Sequence, residues 1–337
     1  MQTAPILVIG STGKTGSRIL KTLTEKGYPV RAGSRNAAIP FDWNRPETWA
    51  PALAGISAAY VSYYPDLAFP GASDNIEALT KAAKAAGVSK LVLLSGRGEA
   101  HARHCEDIVR KSGLDFTLVR AAWFAQNFSE GYLQPAVLEG MVALPAGQIQ
   151  EPLVDVDDIA DVAVAALTDD RHNGELYEVT GPRLLSFAEA AAEISAAAGI
   201  PVRYQPITLE EFHAGMLAIA GEDMAGIFTE ICRETLDGKN AYLTDGVQRA
   251  LGLAPGFRRF LPRCGLKRHL EKGCLNFNPA AGAMEPAVPF IPLPWRHDHA
   301  PLVHSALRRL RHRLCRNRRR AAGVFRLHHA LVRPDPR

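Results

Sequence analysis

The sequence has little or none of what marks several classes of protein. Cysteine is scarce, at five of 337 residues, and no two cysteines form a C-x-x-C pair, which argues against both a disulfide framework and a zinc site. No apolar run reaches the roughly 18 to 20 residues of a membrane span. The opening MQTAPILVIG leads into a glycine motif and not into a signal-peptide cleavage site. We therefore expect a cytoplasmic protein that binds no metal and no membrane.

Acidic residues become rare near the end of the chain, after Phe260. Residues 261–337 contain 14 Arg, 2 Lys and 4 Asp or Glu, a net charge of +12, whereas the whole chain carries +4. The first 260 residues therefore carry −8. The basic segment also holds 7 of the 11 His and 9 of the 23 Pro, a composition typical of a GC-rich gene read in a shifted frame. We expect 261–337 to be frame-shifted or disordered; nucleic-acid binding through its arginines is the less favoured alternative.

Residues 1–260 alternate between short apolar strands and helices. Strands are expected at 5–10, 29–35, 58–63, 90–95 and 115–120, with helices at 14–26, 46–54, 74–86 and 100–112. Because parallel strands require crossover connections, this alternation predicts an α/β fold with a Rossmann-type, doubly wound parallel sheet over about 1–125. Helices at 157–168 and 186–198 and a strand at 175–180 predict a smaller mixed α/β lobe over about 126–260. Ser186 and Glu189 form a capping box at the start of one of these helices.

A glycine motif with the spacing G-x-x-G-x-x-G stands between the first strand and the first helix. Gly10 permits a tight turn, Gly13 lets the backbone approach a pyrophosphate, and Gly16 allows close packing of helix and strand. The helix N-terminus then offers unpaired N–H groups to an anion. A P-loop would place four residues between the first Gly and the Gly-Lys pair, and here there are two. We expect a dinucleotide to bind at Gly10, Ser11, Thr12, Gly13, Lys14, Thr15 and Gly16.

The end of the second strand selects the cofactor. An Asp or Glu there favours NAD, whereas a cation accommodates the 2′-phosphate of NADP. This chain has Ser34 and Arg35 at that place, with Arg31 upstream, and the planar guanidinium of arginine suits a phosphate. We expect NADPH, with Arg35 as the main contact to the 2′-phosphate, although a solvated arginine would give the same pattern. Asp42 and Trp43 follow an expected short third strand and should border the adenine, unless Trp43 belongs to the core.

Several segments together resemble one known family. They are the glycine turn, SRN at 34–36, PETWAPALAGISAAYV, AAGVSKLVLLSGRG and SGLDFTLVRAAWFAQNF. In this order they resemble the NmrA-like, atypical short-chain dehydrogenase/reductase family over residues 4 to about 260. The resemblance implies a Rossmann domain with a small C-terminal lobe, and a cleft between them for nicotinamide and substrate. Members of this family include quinone reductases, reductases of aromatic metabolites, and sensors that bind dinucleotide without turnover.

The resemblance also implies the residues of that cleft. Backbone around Ser62, Tyr63, Ser95 and Gly96 should line the cofactor, and Phe124 and Asn127 should border the substrate. Trp123, Phe124, Phe128 and Tyr132 form either an aromatic wall for a flat substrate or the core of the lobe.

One departure from most short-chain reductases concerns proton transfer. Those enzymes use a Tyr-x-x-x-Lys pair, and no tyrosine of this chain has a lysine four residues later. Candidate proton donors are His101, His104 and Tyr63, although the two histidines could simply be exposed on a first helical turn. Arg97 either holds a substrate oxyanion or solvates a loop.

The sequence thus predicts an NADPH-dependent reductase that transfers hydride to a quinone or polycyclic aromatic ketone, such as a hydroxyanthraquinone-type secondary metabolite. Such acceptors need little acid assistance, so the protein would mainly orient the reactants and exclude water. The alternatives are a non-catalytic NADP(H) sensor that binds a protein partner, and an epimerase that borrows the cofactor. We expect a small aromatic substrate as the main partner and a monomer or homodimer.

Overall fold

The computed structural model describes residues 4–255, and the expectations for 261–337 and for the boundary near Phe260 lie outside these residues. The strands are β1 Ile6–Ile9, β2 Val30–Gly33, β3 Ala58–Val61, β4 Lys90–Gly96, β5 Asp115–Ala121, β6 Met141–Leu144, β7 Gln150–Glu151, β8 Leu176–Val179, β9 Leu185–Ser186 and β10 Arg203–Pro206. The α-helices are α1 Lys14–Glu25, α2 Trp49–Leu53, α3 Ala72–Ala85, α4 Ala100–Lys111, α5 Asn127–Glu130, α6 Gln134–Leu138, α7 Val156–Thr168, α8 Phe187–Ala198, α9 Leu209–Ala220, α10 Glu222–Thr235 and α11 Gly246–Leu251. Short 3-10 helices cover Pro46–Thr48 and Asp170–His172.

The central sheet has six strands in the order β2-β1-β3-β4-β5-β8, and every neighbouring pair is parallel. Its strands are apolar on both faces because helices cover both. Ile6 and Val8 of β1 pack into one buried cluster with α1, α7 and α11, whereas Leu7 and Ile9 pack into the other with α2, α3 and α4. The predicted Rossmann-type, doubly wound fold is therefore confirmed.

The strand order places the candidate site. The chain runs from β1 outward to β2 and then crosses back to β3 on the other side of β1. This reversal opens a crevice at the carboxyl ends of β1 and β3, where ligands bind in open α/β sheets.

Two details of the sequence prediction need correction. Between Gly33 and Ala58 the structure contains no strand, so the short third strand expected before Asp42 is wrong; that stretch is loop followed by a 3-10 helix and α2. The strand predicted at 175–180 is present as β8, but it pairs with β5 in the central sheet and not within the smaller lobe. Helix α7 likewise packs against α1 on the sheet.

The smaller lobe is mixed α/β, as predicted. It contains the parallel pair β6 and β10, the antiparallel pair β7 and β9, and helices α8 to α10 around their own buried cluster. The Ser186 and Glu189 capping box is confirmed, since the Ser186 side chain accepts from the Glu189 N–H and the Glu189 carboxylate accepts from the Ser186 N–H. No helix within residues 4–255 is both long and apolar enough to cross a bilayer.

Candidate active site

The glycine turn after β1 is held by its own backbone. Gly10 has φ +78°, a conformation that favours glycine, and its N–H donates to the Gly33 carbonyl at 2.9 Å. The Gly13 N–H donates to the Gly10 carbonyl at 2.9 Å. A Cβ at Gly16 would collide with the Gly10 carbonyl oxygen and lie 2.7 Å from its carbonyl carbon. The turn therefore requires glycine at positions 10 and 16, the first and the last of the motif.

The N-terminus of α1 faces the crevice without a capping side chain. Gly13 occupies the N-cap position and supplies no side-chain hydrogen bond to the first turn. The Thr12 side chain is exposed, whereas Ser11 and Thr15 are buried and the Thr15 hydroxyl accepts from Tyr60 Oη at 2.8 Å. Burial lowers the pKa of Lys14, which lines the cleft beside this turn. Free amides and a nearby cation fit a diphosphate.

The loop after β2 separates two arginines that the sequence placed together. Arg31 donates to the carbonyls of Ala52 and Ala54 at 2.8 and 2.7 Å, so its guanidinium anchors the end of α2. Arg35 is exposed, and its guanidinium carbon lies 5.9 Å from the centroid of the Tyr64 ring. Neither a hydrogen bond nor an ion pair joins the Arg35 side chain to another residue of 4–255, so it is available to a phosphate. Ser34 uses its carbonyl to close the loop onto Phe41.

The two residues expected beside the adenine, Asp42 and Trp43, both have partners within the protein. Asp42 accepts from the Asn44 N–H at 3.0 Å and remains partly exposed. Trp43 is 8% exposed, packs 4.7 Å from the Tyr63 ring, and donates from its indole to the Ser62 carbonyl at 3.2 Å. Trp43 is thus a core residue, which was the alternative considered from the sequence, and it braces the segment after β3.

A cleft of about 320 Å³ runs along the carboxyl ends of the central strands. We call its two parts the cofactor half and the acceptor half. The cofactor half consists of the 10–16 turn, the residues Ser62 and Tyr63 after β3, and Ser95 and Gly96 at the end of β4. Lys14 is the residue of the turn that borders the cavity, together with those four residues. The Ser95 hydroxyl is buried without a hydrogen-bond partner in the described chain, as suits a wall that contacts a ligand.

The acceptor half is lined mainly by apolar and aromatic groups. It consists of Leu67, Trp123, Phe124, Asn127, Tyr132, Phe228, Ile231 and Cys232. The ring centroids of Tyr132 and Phe228 lie 5.8 Å apart. The Trp123 indole donates a hydrogen bond to the Thr235 hydroxyl at 3.1 Å. Phe128 is 2% exposed within the core of the lobe. The structure therefore divides the aromatic residues between the two alternatives: three line the cleft and Phe128 is core.

Comparison with known proteins agrees with this geometry. The model of an NAD(P)H-binding family matches residues 10–170. An NAD(P)H azoreductase of Xenophilus azovorans is 35% identical over 251 residues, covering 67% of this chain and 85% of the relative. The chain belongs to the NAD(P)H-binding, atypical short-chain dehydrogenase/reductase family. It is an NAD(P)H-dependent oxidoreductase.

Two further similarities concern other reductases. Quinone oxidoreductase 2 of Escherichia coli is 25% identical over 248 residues, covering 65% of this reductase and 83% of the relative. The crystal structure of the Citrobacter sp. triphenylmethane reductase complexed with NADP(H) superposes with a TM-score of 0.60 at 22% identity, covering 77% of this chain and 99% of that one. This second similarity shows that the fold is shared.

Arg97 borders the cleft of this reductase, but its guanidinium is held by partners within the protein. Its side chain is 2% exposed and forms an ion pair from Nε to the Glu178 carboxylate at 2.6 Å. Its two terminal nitrogens donate to the carbonyls of Asn240 and Tyr242 at 2.7 and 3.0 Å, and the guanidinium stacks 3.9 Å from the Tyr242 ring centroid. Because these partners use all three nitrogens, the guanidinium ties the end of β4 to the segment after α10.

The two candidate histidines lie away from the cleft. His101 and His104 are exposed on the first turns of α4, and neither borders the cavity. The structure therefore favours the alternative of solvated histidines over proton donors. Tyr63 does line the cleft, and its hydroxyl accepts from the Asn75 side chain at 2.9 Å.

Sequence reasoning missed two acidic residues of the cleft. Asp66 follows β3 and Glu99 follows β4, and both border the cavity. A usable signal was present, because each acid comes shortly after the carboxyl end of a parallel strand, where functional side chains converge.

Proposed function

We propose that this enzyme is an NADPH-dependent reductase that transfers hydride to a quinone or another extended aromatic acceptor, such as a polycyclic aromatic ketone. The observation that carries the proposal is the continuity of the cleft. One end meets the uncapped N-terminus of α1, and the other meets the aromatic side chains of Trp123, Phe124 and Tyr132. A dinucleotide and a flat acceptor can therefore lie side by side.

The residues of the cofactor half bind and orient the dinucleotide. The backbone amides of the first turn of α1 and the Lys14 ammonium would hold the diphosphate, and Arg35 would hold the 2′-phosphate. When bound, the reduced nicotinamide supplies the hydride. Ser95 and Gly96, which border the cleft, would lie beside its ring.

The acceptor half orients the substrate and excludes water. Flat rings favour offset or edge-to-face packing against Tyr132 and Phe228, and the Leu67 and Ile231 side chains close the apolar surface. Placing the acceptor carbon against the nicotinamide accounts for much of the rate enhancement available to such a reaction.

The named relatives support this class of acceptor. The azoreductase and the quinone oxidoreductase are relatives by sequence, and the triphenylmethane reductase shares the fold. An azo dye, a quinone and a triphenylmethane dye are all conjugated aromatic molecules that accept two electrons. The triphenylmethane reductase was crystallised with NADP(H), in line with the choice of NADPH here.

The test of cofactor choice is Arg35→Ala. Titration with NADPH and NADH should show NADPH binding weakened by about 1.5 to 3 kcal/mol, the range of a hydrogen bond to a charged group, with NADH binding nearly unchanged. Arg45→Ala is the matched control, because Arg45 is also exposed and, within residues 4–255, its side chain pairs with Glu47 alone, at 2.9 Å. Equal losses for both cofactors would contradict the assignment of Arg35.

The test of the reaction is steady NADPH oxidation with a panel of naphthoquinones, anthraquinones and azo dyes. We expect multiple turnovers with at least one planar acceptor and none with aliphatic ketones, because the cleft offers no Tyr-x-x-x-Lys pair. Preference for an aliphatic ketone over every aromatic acceptor would overturn the proposal.

A further inference from the structure

Two carboxyl groups meet in the wall of the cleft where its two halves join. Glu99 is 8% exposed, and its side chain packs against Gly96, where a Cβ would collide with the carboxylate. Asp66, in the loop after β3, lies beside Glu99, close enough for the two carboxyl groups to interact directly. Both residues border the cavity. The acidic pair therefore lies next to the residue that we place beside the nicotinamide.

The pair consists of two adjacent carboxyl groups, one of them buried. Two like charges so close to each other disfavour ionisation of both groups, so the pair favours a state in which one of them keeps a proton. The Glu99 Oε2 atom is buried and has no donor within residues 4–255. Glu99 also occupies the N-cap position of α4 without capping it; the Ala100 N–H instead donates to Glu234 at 3.2 Å. The carboxyl is thus turned away from its helix and into the cleft.

The surroundings favour the protonated form. Burial raises the pKa of Glu99 well above its ordinary value, and the nearby carboxylates of Asp66 and Glu234 raise it further. Burial also raises the pKa of Asp66. Cys105 of α4 lies close enough to Asp66 to be affected by its charge, and burial is the main cause that raises the pKa of its thiol to about 11. Tyr63, Arg97 and Cys232 border the same cleft. Within residues 4–255, no ion pair joins either carboxylate to a basic side chain.

We propose that the Asp66–Glu99 pair is the proton donor of the reaction, and this inference rests on the proposed function. Reduction of a quinone or azo group by hydride adds two electrons and leaves an anionic oxygen or nitrogen. The pair transfers its shared proton to that atom, so that an O–H or N–H bond forms as the carboxyl O–H bond breaks. The pair, left with both groups ionised, regains a proton from water. This chemistry fills the role left open by the absent Tyr-x-x-x-Lys pair.

The test compares Glu99→Gln, Asp66→Asn and the wild-type enzyme. Glu99→Gln should lower kcat about 100- to 10,000-fold, the usual contribution of a general acid. NADPH affinity and the thermal unfolding temperature should be unchanged, because the amide fills the same space. Asp66→Asn removes the neighbouring charge, so the alkaline fall in kcat should shift to lower pH. Asp107→Asn is the matched control, since Asp107 lies on the exposed face of α4 and pairs only with Arg110 at 3.4 Å.

A second readout does not depend on turnover. Because Glu151 also holds a proton near neutral pH, the infrared spectra are recorded in a Glu151→Gln background. In that background the band of a protonated carboxyl should be present with Glu99 intact and in Asp107→Asn, and it should be lost in Glu99→Gln. Absence of the band with Glu99 intact, or wild-type kcat and pH profile in Glu99→Gln, would overturn the proton-donor role while leaving the reductase function intact. If the wild-type enzyme reduces no acceptor of the panel, the proposed function fails and the role of the pair falls with it.

Discussion

The two halves of the cleft depend on different kinds of group, the backbone in one and buried side chains in the other. The cofactor half depends on backbone: the Gly13 N–H donates to the Gly10 carbonyl, and the Gly10 N–H donates to the Gly33 carbonyl. The acceptor half is backed by a layer of buried ionisable side chains, Arg97, Glu99 and Glu151, which we call the supporting layer. Arg97 forms an ion pair, whereas Glu99 and Glu151 have no ion-pair partner among the described basic groups. Backbone contacts do not titrate, whereas buried carboxyls do. We therefore expect the buried carboxyls to give the acceptor chemistry a pH dependence that the backbone contacts of the glycine turn do not give to cofactor binding.

The largest effect is expected where the supporting layer depends on one buried cation. Arg97→Ala removes the ion pair with Glu178 and the hydrogen bonds to the Asn240 and Tyr242 carbonyls. Glu178 then retains Arg120 at 3.5 Å and the Tyr242 hydroxyl at 3.0 Å. Breaking such a buried pair costs about 3 to 5 kcal/mol of unfolding free energy. Urea denaturation measures it.

Arg110→Ala serves as the control for Arg97→Ala. Arg110 is exposed and pairs with Asp107 at 3.4 Å, so its loss should cost less than about 1 kcal/mol. A similarly small cost for Arg97→Ala, together with a raised KM for the acceptor, would restore Arg97 to the substrate-binding role that the sequence suggested.

The same contrast explains what could be predicted from the sequence. The glycine turn could be predicted because its function depends on spacing within seven consecutive residues. The sheet could be predicted because short, mainly apolar strands alternate with helices along the chain. The neighbours of Arg97 could not be predicted, since Asn240 lies 143 positions away and Glu178 lies 81 positions away. Local patterns contain no information about such pairings.

The acidic residues of the cleft show a second limit. Asp66 and Glu99 each read as ordinary loop acids, and only the folded chain brings them together beside Gly96. For the two histidines, the sequence suggested a catalytic role that the structure does not favour. Their residue type suggested proton transfer near neutral pH, but the helical phase of α4 turns His101 and His104 to solvent, while Ala102 and Cys105 face the core.

An intermediate effect is expected at the turn of the cofactor half. Gly16→Ala places a methyl group against the Gly10 carbonyl, which belongs to the backbone and cannot move without opening the turn. Because a displacement of about 1 Å can cost roughly 100-fold, we expect NADPH to bind about 100-fold more weakly, as measured by fluorescence titration.

Gly226→Ala is the matched control for this change, since Gly226 also lies inside a helix, α10, with no atom within 4 Å of a built Cβ. Alanine there should stabilise the protein by up to about 1 kcal/mol and leave NADPH binding unchanged. Equal affinities for NADPH in the two variants would mean that the diphosphate does not lie on this turn.

The smallest effect is expected from Glu151, and it concerns the pH dependence of the stability of the protein. Glu151 of β7 is 1% exposed, and neither carboxylate oxygen has a hydrogen-bond partner within residues 4–255. Burial raises its pKa to about 7. The positive charge of Arg97 opposes this increase, and the negative charge of Asp237 adds to it. The folded protein therefore binds this proton more tightly than the unfolded chain. Its stability should be greatest below the ordinary carboxyl pKa and should fall as the pH rises to about 7.

Glu151→Gln replaces the titrating group with a neutral one of the same shape. Since one pKa unit corresponds to about 1.4 kcal/mol, the variant should match the wild-type stability near pH 4 and exceed it by on the order of 2 kcal/mol near pH 8. Glu139→Gln, at an exposed position, should change the free energy of unfolding little at either pH. Parallel pH profiles for wild type and Glu151→Gln would show that Glu151 is ionised throughout and that Arg97 compensates both Glu178 and Glu151. The supporting layer would then be insensitive to pH, like the glycine turn, and the pH dependence of the enzyme would have to arise from the Asp66–Glu99 pair alone.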